Sequence, residues 1–135
     1  MDLDISALVN ATARLREGLE RYEQDISDTQ IRDGLIQRFE FTYELSHKML
    51  KRFLEMRSPN PQHYDEIAFQ DLVREGNESN LLLGDWEKWK TYRQMRTDTS
   101  HTYKEDKALK VVAGIPDFLR EAEYLLKQLQ KVIDA

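Results

Sequence analysis

Apolar residues recur along this chain at steps of three and four, which is the period of a helix rather than a strand. Ile5, Leu8, Leu15, Leu19 and Tyr22 make one stripe and predict a helix over about Asp4 to Glu23. Ile31, Leu35, Phe39, Tyr43, Leu50 and Phe53 make a second, over about Thr29 to Met56. Ile36, Leu45 and Met49 widen that second stripe, so this helix is expected to be buried on more than one side. The stretch "RSPNPQHY" carries two prolines and ends it. A short third helix is expected from about Tyr64 to Glu75, with Ile67, Phe69, Leu72 and Val73, and "GNESNLLLGD" then reads as a loop with an apolar patch. Asp85 is placed to cap a fourth helix, about Trp86 to Thr97.

The fifth helix is expected from near Tyr103 to about Ile133. Thr102 and Glu105 have the spacing of a capping box, which argues for a start there. Pro116 lies inside it, so a kink or two abutting helices is expected at that point. No alternating strand and no internal repeat is visible. The fold class predicted is all-α: an up-and-down antiparallel four-helix bundle with one extra short helix, in a single domain over residues 1–135.

Composition narrows the setting. With 135 residues, the chain is long enough to bury a core without staples. It has no cysteine, which removes disulfides and thiolate metal sites and fits a cytoplasmic location. The N-terminus has no basic segment followed by an apolar run, so no signal peptide is expected. No stretch has the length of a membrane span. A formal net charge of −5 opposes a polyanion unless a local basic surface offsets it.

Such a surface has one candidate. From Trp86 to Lys110 there are seven Lys or Arg and four Asp or Glu, a local balance of +3. Ordinary surface charge is the plain alternative. Two other constellations have plain readings of their own. Trp86, Trp89, Tyr92 and Met95 could stack nucleic-acid bases, but helical spacing favours core or a subunit interface. Glu44-x-x-His47 has the spacing of a carboxylate-bridged di-metal helix, but a second such motif is missing. A polar stripe of Glu40, Glu44 and His47 that bonds a neighbouring helix or a partner chain is favoured, and no metal or cofactor is expected.

Within the basic stretch, "RTDTSHTY" holds the chemistry. Arg96 offers a fixed fork of donors to phosphate oxygens, and His101 can move a proton near neutral pH. A metal-free ribonuclease needs little more: one group for the 2′-hydroxyl proton and one for charge on the scissile phosphate. Five residues on one helix turn about 140° past a full turn, so the two side chains converge only if the helix ends between them. The capping box predicts that break. It would place His101 just before a helix N-terminus, where the dipole favours a neutral imidazole.

"IQRFEFTYELSHKMLKRFL" (36–54), "WEKWKTYRQMRTDTSHTYKEDKA" (86–108) and "IPDFLREAEYLLKQL" (115–129) together resemble one family. It is the nucleotidyltransferase substrate-binding proteins, HEPN-type partners of minimal nucleotidyltransferases (MNT), also described as HepT toxins. The resemblance covers nearly the whole chain in the same order. It implies a helical bundle that forms a homodimer. It implies a metal-independent ribonuclease site at the dimer interface, with Arg96 and His101 as the catalytic pair and RNA as substrate. It implies that the MNT partner adds AMP to Tyr103 and silences the toxin. An older description of the family makes the helical chain the substrate-binding half of a two-chain nucleotidyltransferase. The residue after the arginine is commonly asparagine in this motif; here it is Thr97, which keeps a hydroxyl and loses the amide. Arg93, Thr97 and Ser100 are expected to support the site or bind phosphate. The chain has no Gly-Ser plus paired-Asp signature, so it is not expected to transfer nucleotides itself.

Overall fold

The computed structural model describes residues 2–135. Its elements are α1 (Ser6–Gln24), α2 (Thr29–Arg57), α3 (Phe69–Glu78), α4 (Trp86–Asp98) and α5 (Glu105–Asp134), with 3-10 turns at Pro61–Tyr64 and Thr99–His101. No strand occurs among the described residues. The four long helices form an up-and-down antiparallel bundle, and α3 is the short extra helix. No helix among the described residues is long and apolar enough to cross a membrane.

Local chemistry sets the main helix starts. The Asp28 carboxylate accepts from the backbone N–H of Gln30 and Ile31, at 3.0 and 3.1 Å, and opens α2. Asp85 does the same for α4, accepting from Glu87 at 3.1 Å. Helix α2 is the central element. It buries Leu35, Ile36, Phe39, Tyr43, Met49, Leu50, Phe53 and Leu54, which spread around more than one face as the widened stripe predicts.

Aromatic side chains join α2, α4 and α5. Phe118 meets Phe39 edge-on at 5.0 Å and Tyr92 at 5.2 Å, and Trp89 meets Tyr92 at 5.4 Å. Each such contact adds about 0.5–1.5 kcal/mol beyond the area it buries. The Tyr92 hydroxyl reaches out of this cluster and donates to Asp117 at 2.7 Å. Glu121, 1% exposed, accepts from the Leu83 and Gly84 N–H groups at 2.7 Å each. That carboxylate fixes the segment leading into α4 from across the bundle.

Two expectations about element limits are corrected. Helix α3 starts at Phe69 and ends at Glu78, rather than running from Tyr64 to Glu75. Tyr64 closes a 3-10 turn instead, and its buried ring is held by a 2.6 Å bond from its hydroxyl to Glu75. Asn80, in the left-handed region at φ 59°, turns the chain after α3. Helix α5 starts at Glu105, and the capping box does not form. The Thr102 hydroxyl donates to the Thr99 carbonyl at 3.4 Å, and Glu105 is taken by Arg32 of α2 at 2.8 Å. Of the alternatives expected at Pro116, the abutting pair does not occur: α5 runs through it as one helix.

Candidate functional site

Helix α4 turns Trp89, Tyr92 and Met95 into the core, at 1–4% exposure. The aromatic stripe is therefore packing rather than a nucleic-acid surface. With that face inward, Arg96 lies at its edge and points to α2. Its Nε donates to a Glu44 oxygen at 2.7 Å, and one terminal nitrogen pairs with the same oxygen at 2.6 Å. The other terminal nitrogen reaches Glu40 at 3.1 Å and the Thr99 hydroxyl at 3.2 Å. Glu40 and Glu44 stand one turn apart on α2, so one guanidinium spans both. The Thr99 hydroxyl itself donates to the Arg96 carbonyl at 2.6 Å, which ties the first residue of the 3-10 turn to the last turn of α4.

Helix α4 ends at Asp98, so the helix breaks between Arg96 and His101 as the spacing requires. The turn that follows does not place His101 at a helix N-terminus. His101 closes the 3-10 turn, its carbonyl accepts from Lys104, and α5 begins only after Lys104. The dipole argument for a neutral imidazole loses its premise. Beneath the turn, the buried Asp98 accepts from Gln94 at 3.0 Å and lies 3.8 Å from Lys107. Above it, His101 and Tyr103 are both exposed. Their rings meet edge to face at 6.1 Å, and Tyr103 is 78% exposed.

The six residues expected at the site therefore separate into groups. His101 and Tyr103 come together on the outer side of the turn. Arg96 faces α2, and among the described residues no hydrogen bond joins it to His101. The Thr97 hydroxyl donates back to the Arg93 carbonyl at 3.2 Å, on the exposed surface of α4. The Arg93 guanidinium lies over the Phe69 ring at 5.7 Å. Ser100 is exposed within the 3-10 turn.

Arg96 forms one wall of a groove of about 860 Å³ along the outer face of α2. Glu40, Phe41, Glu44 and Leu45 line one end, and His47, Lys48 and Lys51 the other. Tyr43 beneath it has its hydroxyl pushed up to about 12 by burial, against the pull of Arg93 and Arg96. His47 is held below its ordinary value, first by burial and then by Lys51; its ring packs against Phe69 at 4.7 Å. The Glu44-x-x-His47 pair thus splits, with its carboxylate on Arg96 and its imidazole on an aromatic ring. Among the described residues no three His, Asp or Glu side chains gather as a metal site.

The stripe of Glu40, Glu44 and His47 was expected to bond a neighbouring helix or a partner chain; Glu40 and Glu44 meet Arg96 of α4, while His47 packs against Phe69. The sequence reading missed Thr99. A hydroxyl three residues past an arginine at a helix end is the local signal that could have found it.

Comparison with known proteins agrees with this geometry. Residues 3–131 match the family described as "Nucleotidyltransferase substrate binding protein like". A Haemophilus influenzae protein named probable ribonuclease HepT is 47% identical over 106 residues, which is 78% of this chain and 71% of that protein. A solved structure from Haemophilus influenzae, described as the fold of a substrate binding domain of a nucleotidyltransferase, superposes with a TM-score of 0.88. It is 38% identical and covers 94% of this chain and 99% of its own. The five helices, the break after Arg96 and these matches make one assignment: this chain belongs to the nucleotidyltransferase substrate-binding protein family.

Proposed function

We propose that this chain is the HEPN-type subunit of a two-chain MNT system, and that its unmodified homodimer is a metal-independent endoribonuclease. The observation that carries the reading is the turn after α4. It presents His101 and Tyr103 side by side in solvent, immediately beyond the arginine of the motif. The likeness to a protein named probable ribonuclease HepT supports it.

In this reading the ribose 2′-oxygen attacks the adjacent phosphorus and the bond to the 5′-oxygen breaks. A 2′,3′-cyclic phosphate and a free 5′-hydroxyl result. His101 accepts the 2′-hydroxyl proton, and its delivery to the leaving oxygen balances the step. Arg96 donates to the non-bridging oxygens, where negative charge builds. Silencing uses Tyr103. Its hydroxyl oxygen attacks the α-phosphorus of ATP held by the MNT partner. Pyrophosphate leaves, and the phenolic proton passes to a base of that partner. The adduct sets a negative phosphodiester and an adenosine against His101, so it excludes RNA by charge and by volume together.

The test has two arms. The purified, unmodified chain is incubated with RNA in EDTA, and cleavage is expected that His101→Ala abolishes. The chain is then incubated with its MNT partner, ATP and magnesium, and an adenylyl mass gain is expected on Tyr103. An inert unmodified dimer sinks the ribonuclease. A gain on another residue, or none, removes Tyr103 as acceptor.

A second reading keeps the MNT partner but makes this chain a non-catalytic substrate-binding subunit. It is favoured by the two carboxylates on Arg96 and by the Thr97 hydroxyl, whose proton is already donated to the Arg93 carbonyl. It predicts a stable complex whose nucleotidyltransferase activity is unchanged by His101→Ala.

A further inference from the structure

Arginine has five N–H donors in a fixed fork. In the free chain Arg96 donates its Nε–H to Glu44, and the same carboxylate oxygen lies 2.6 Å from the adjacent terminal nitrogen. The other terminal nitrogen donates to Thr99 and pairs with Glu40 at 3.1 Å. The edge that Glu44 occupies, Nε with its neighbouring nitrogen, is an edge through which arginine grips phosphate with two parallel bonds. The trio of Arg96, Glu40 and Glu44 carries a net charge of −1, so a phosphodiester meets repulsion where the motif alone suggests attraction.

The two carboxylates are not equivalent. The Glu40 side chain is 33% exposed and works with Thr99 on the inner nitrogen. The Glu44 side chain is 56% exposed and holds the outer edge. Water can replace bonds at Glu44 more readily, so it is the one a ligand displaces. Glu44 also has somewhere to go. Lys48 lies four residues on, with the carboxylate N-terminal to the ammonium, which is the favoured order for a helical pair. Lys48 lines the same groove and makes no ion pair among the described residues.

We propose that Glu44 is a displaceable cap on Arg96. It fills the phosphate-binding edge while the site is empty. It swings toward Lys48 when an RNA phosphate arrives. Glu40 and Thr99 meanwhile keep the guanidinium oriented. This rests on the reading of Arg96 as the phosphate-holding residue given above, and adds a self-competing group to it.

The experiment measures binding, not cleavage. A fluorescein-labelled single-stranded RNA with 2′-O-methyl riboses cannot be cut, because its nucleophile is blocked. Its anisotropy is titrated with the full chain at one fixed ionic strength. Glu44→Gln is expected to bind about three- to tenfold tighter than the parent, the scale of releasing a partly exposed ion pair. Glu40→Gln is expected to show no such gain. Lys48→Met is expected to weaken binding about threefold in the parent and to have no effect beside Glu44→Gln. If Arg96→Ala weakens binding while Glu44→Gln leaves it unchanged, the cap is overturned and the phosphate role of Arg96 survives. If Lys48→Met costs the same in both backgrounds, Lys48 touches RNA itself and the swing is overturned. Binding that ignores Arg96, or no binding by any variant, overturns both the cap and the reading beneath it.

Discussion

Two helix-interior glycines should respond differently to the same substitution. In the middle of a helix, Gly→Ala gains about 1 kcal/mol from backbone entropy alone. At Gly34 in α2 an added Cβ would meet nothing within 4 Å. Gly34→Ala should therefore show most of that gain. At Gly114 in α5 the same atom would stand 2.5 Å from the Met95 sulfur and 2.8 Å from its methyl carbon. Met95 is 4% exposed, so it has no solvent to retreat into. Overpacking a filled core costs about 1–3 kcal/mol. Setting the helix gain against it leaves Gly114→Ala neutral to about 2 kcal/mol less stable. The two variants should thus differ by about 1–3 kcal/mol, or on the order of 4–12 °C in Tm for a chain of this size. Urea unfolding followed by circular dichroism, at one protein concentration, reads the difference directly. Pairing Gly114→Ala with Met95→Ala should remove most of the penalty, because the blocking side chain is gone. If Gly114→Ala stabilises as much as Gly34→Ala, the close approach of α4 and α5 beside Arg96 is wrong.

Two further outcomes follow from single groups. Asp28→Ala removes the carboxylate that accepts from Gln30 and Ile31 at the start of α2, and should cost about 1 kcal/mol in the same unfolding assay. His47 is held below its ordinary value of 6.5 by burial, then by Lys51, with Arg93 adding to the effect and Glu44 opposing it. Below 6.5 the unfolded chain then binds a proton that the folded chain refuses, so this contribution to stability is whole above 6.5 and is lost as pH falls through that value. Comparing unfolding midpoints at about pH 7.5 and about pH 5.5 should show a loss that His47→Gln reduces; an equal loss in both proteins would deny His47 this part.

How far the sequence could be read depended on how far apart the deciding partners lie. The start of α4 was legible because Asp85 and the N–H group it accepts from are two residues apart. The widened stripe of α2 was legible because burial on two faces leaves a mark in one helix's own pattern. The start of α5 was not legible. Thr102 and Glu105 have the right spacing for a cap, but Arg32, from α2, offers Glu105 a charged partner at 2.8 Å. A local hydrogen bond gave way to an ion pair with a residue 73 positions earlier, which no window of sequence contains. Tyr64 was read as the start of α3 for the same reason. Its apolar ring belongs to the core, but a 3-10 turn and Glu75 bring it there.

The site shows this limit most clearly. Arg96, the helix break, His101 and Tyr103 all lie within eight residues of chain, so their order was readable. The charge around them was not. Counting charges from Trp86 to Lys110 gave a balance of +3, yet Arg96 is paired with Glu40 and Glu44, and Lys88 lies 3.3 Å from Asp117. The carboxylates that quench this surface come from α2 and α5. An arginine held in this way is not simply disabled. Ordering a free arginine side chain costs up to about 2 kcal/mol of rotamer entropy. Glu40 and Thr99 impose that cost on the folded chain before any phosphate arrives. If Arg96 holds phosphate as proposed, what remains for the ligand is to exchange one exposed carboxylate for one phosphate on an edge already aimed. The same contacts that would lower the affinity of Arg96 for stray anions would then give it a fixed geometry for the one that displaces Glu44.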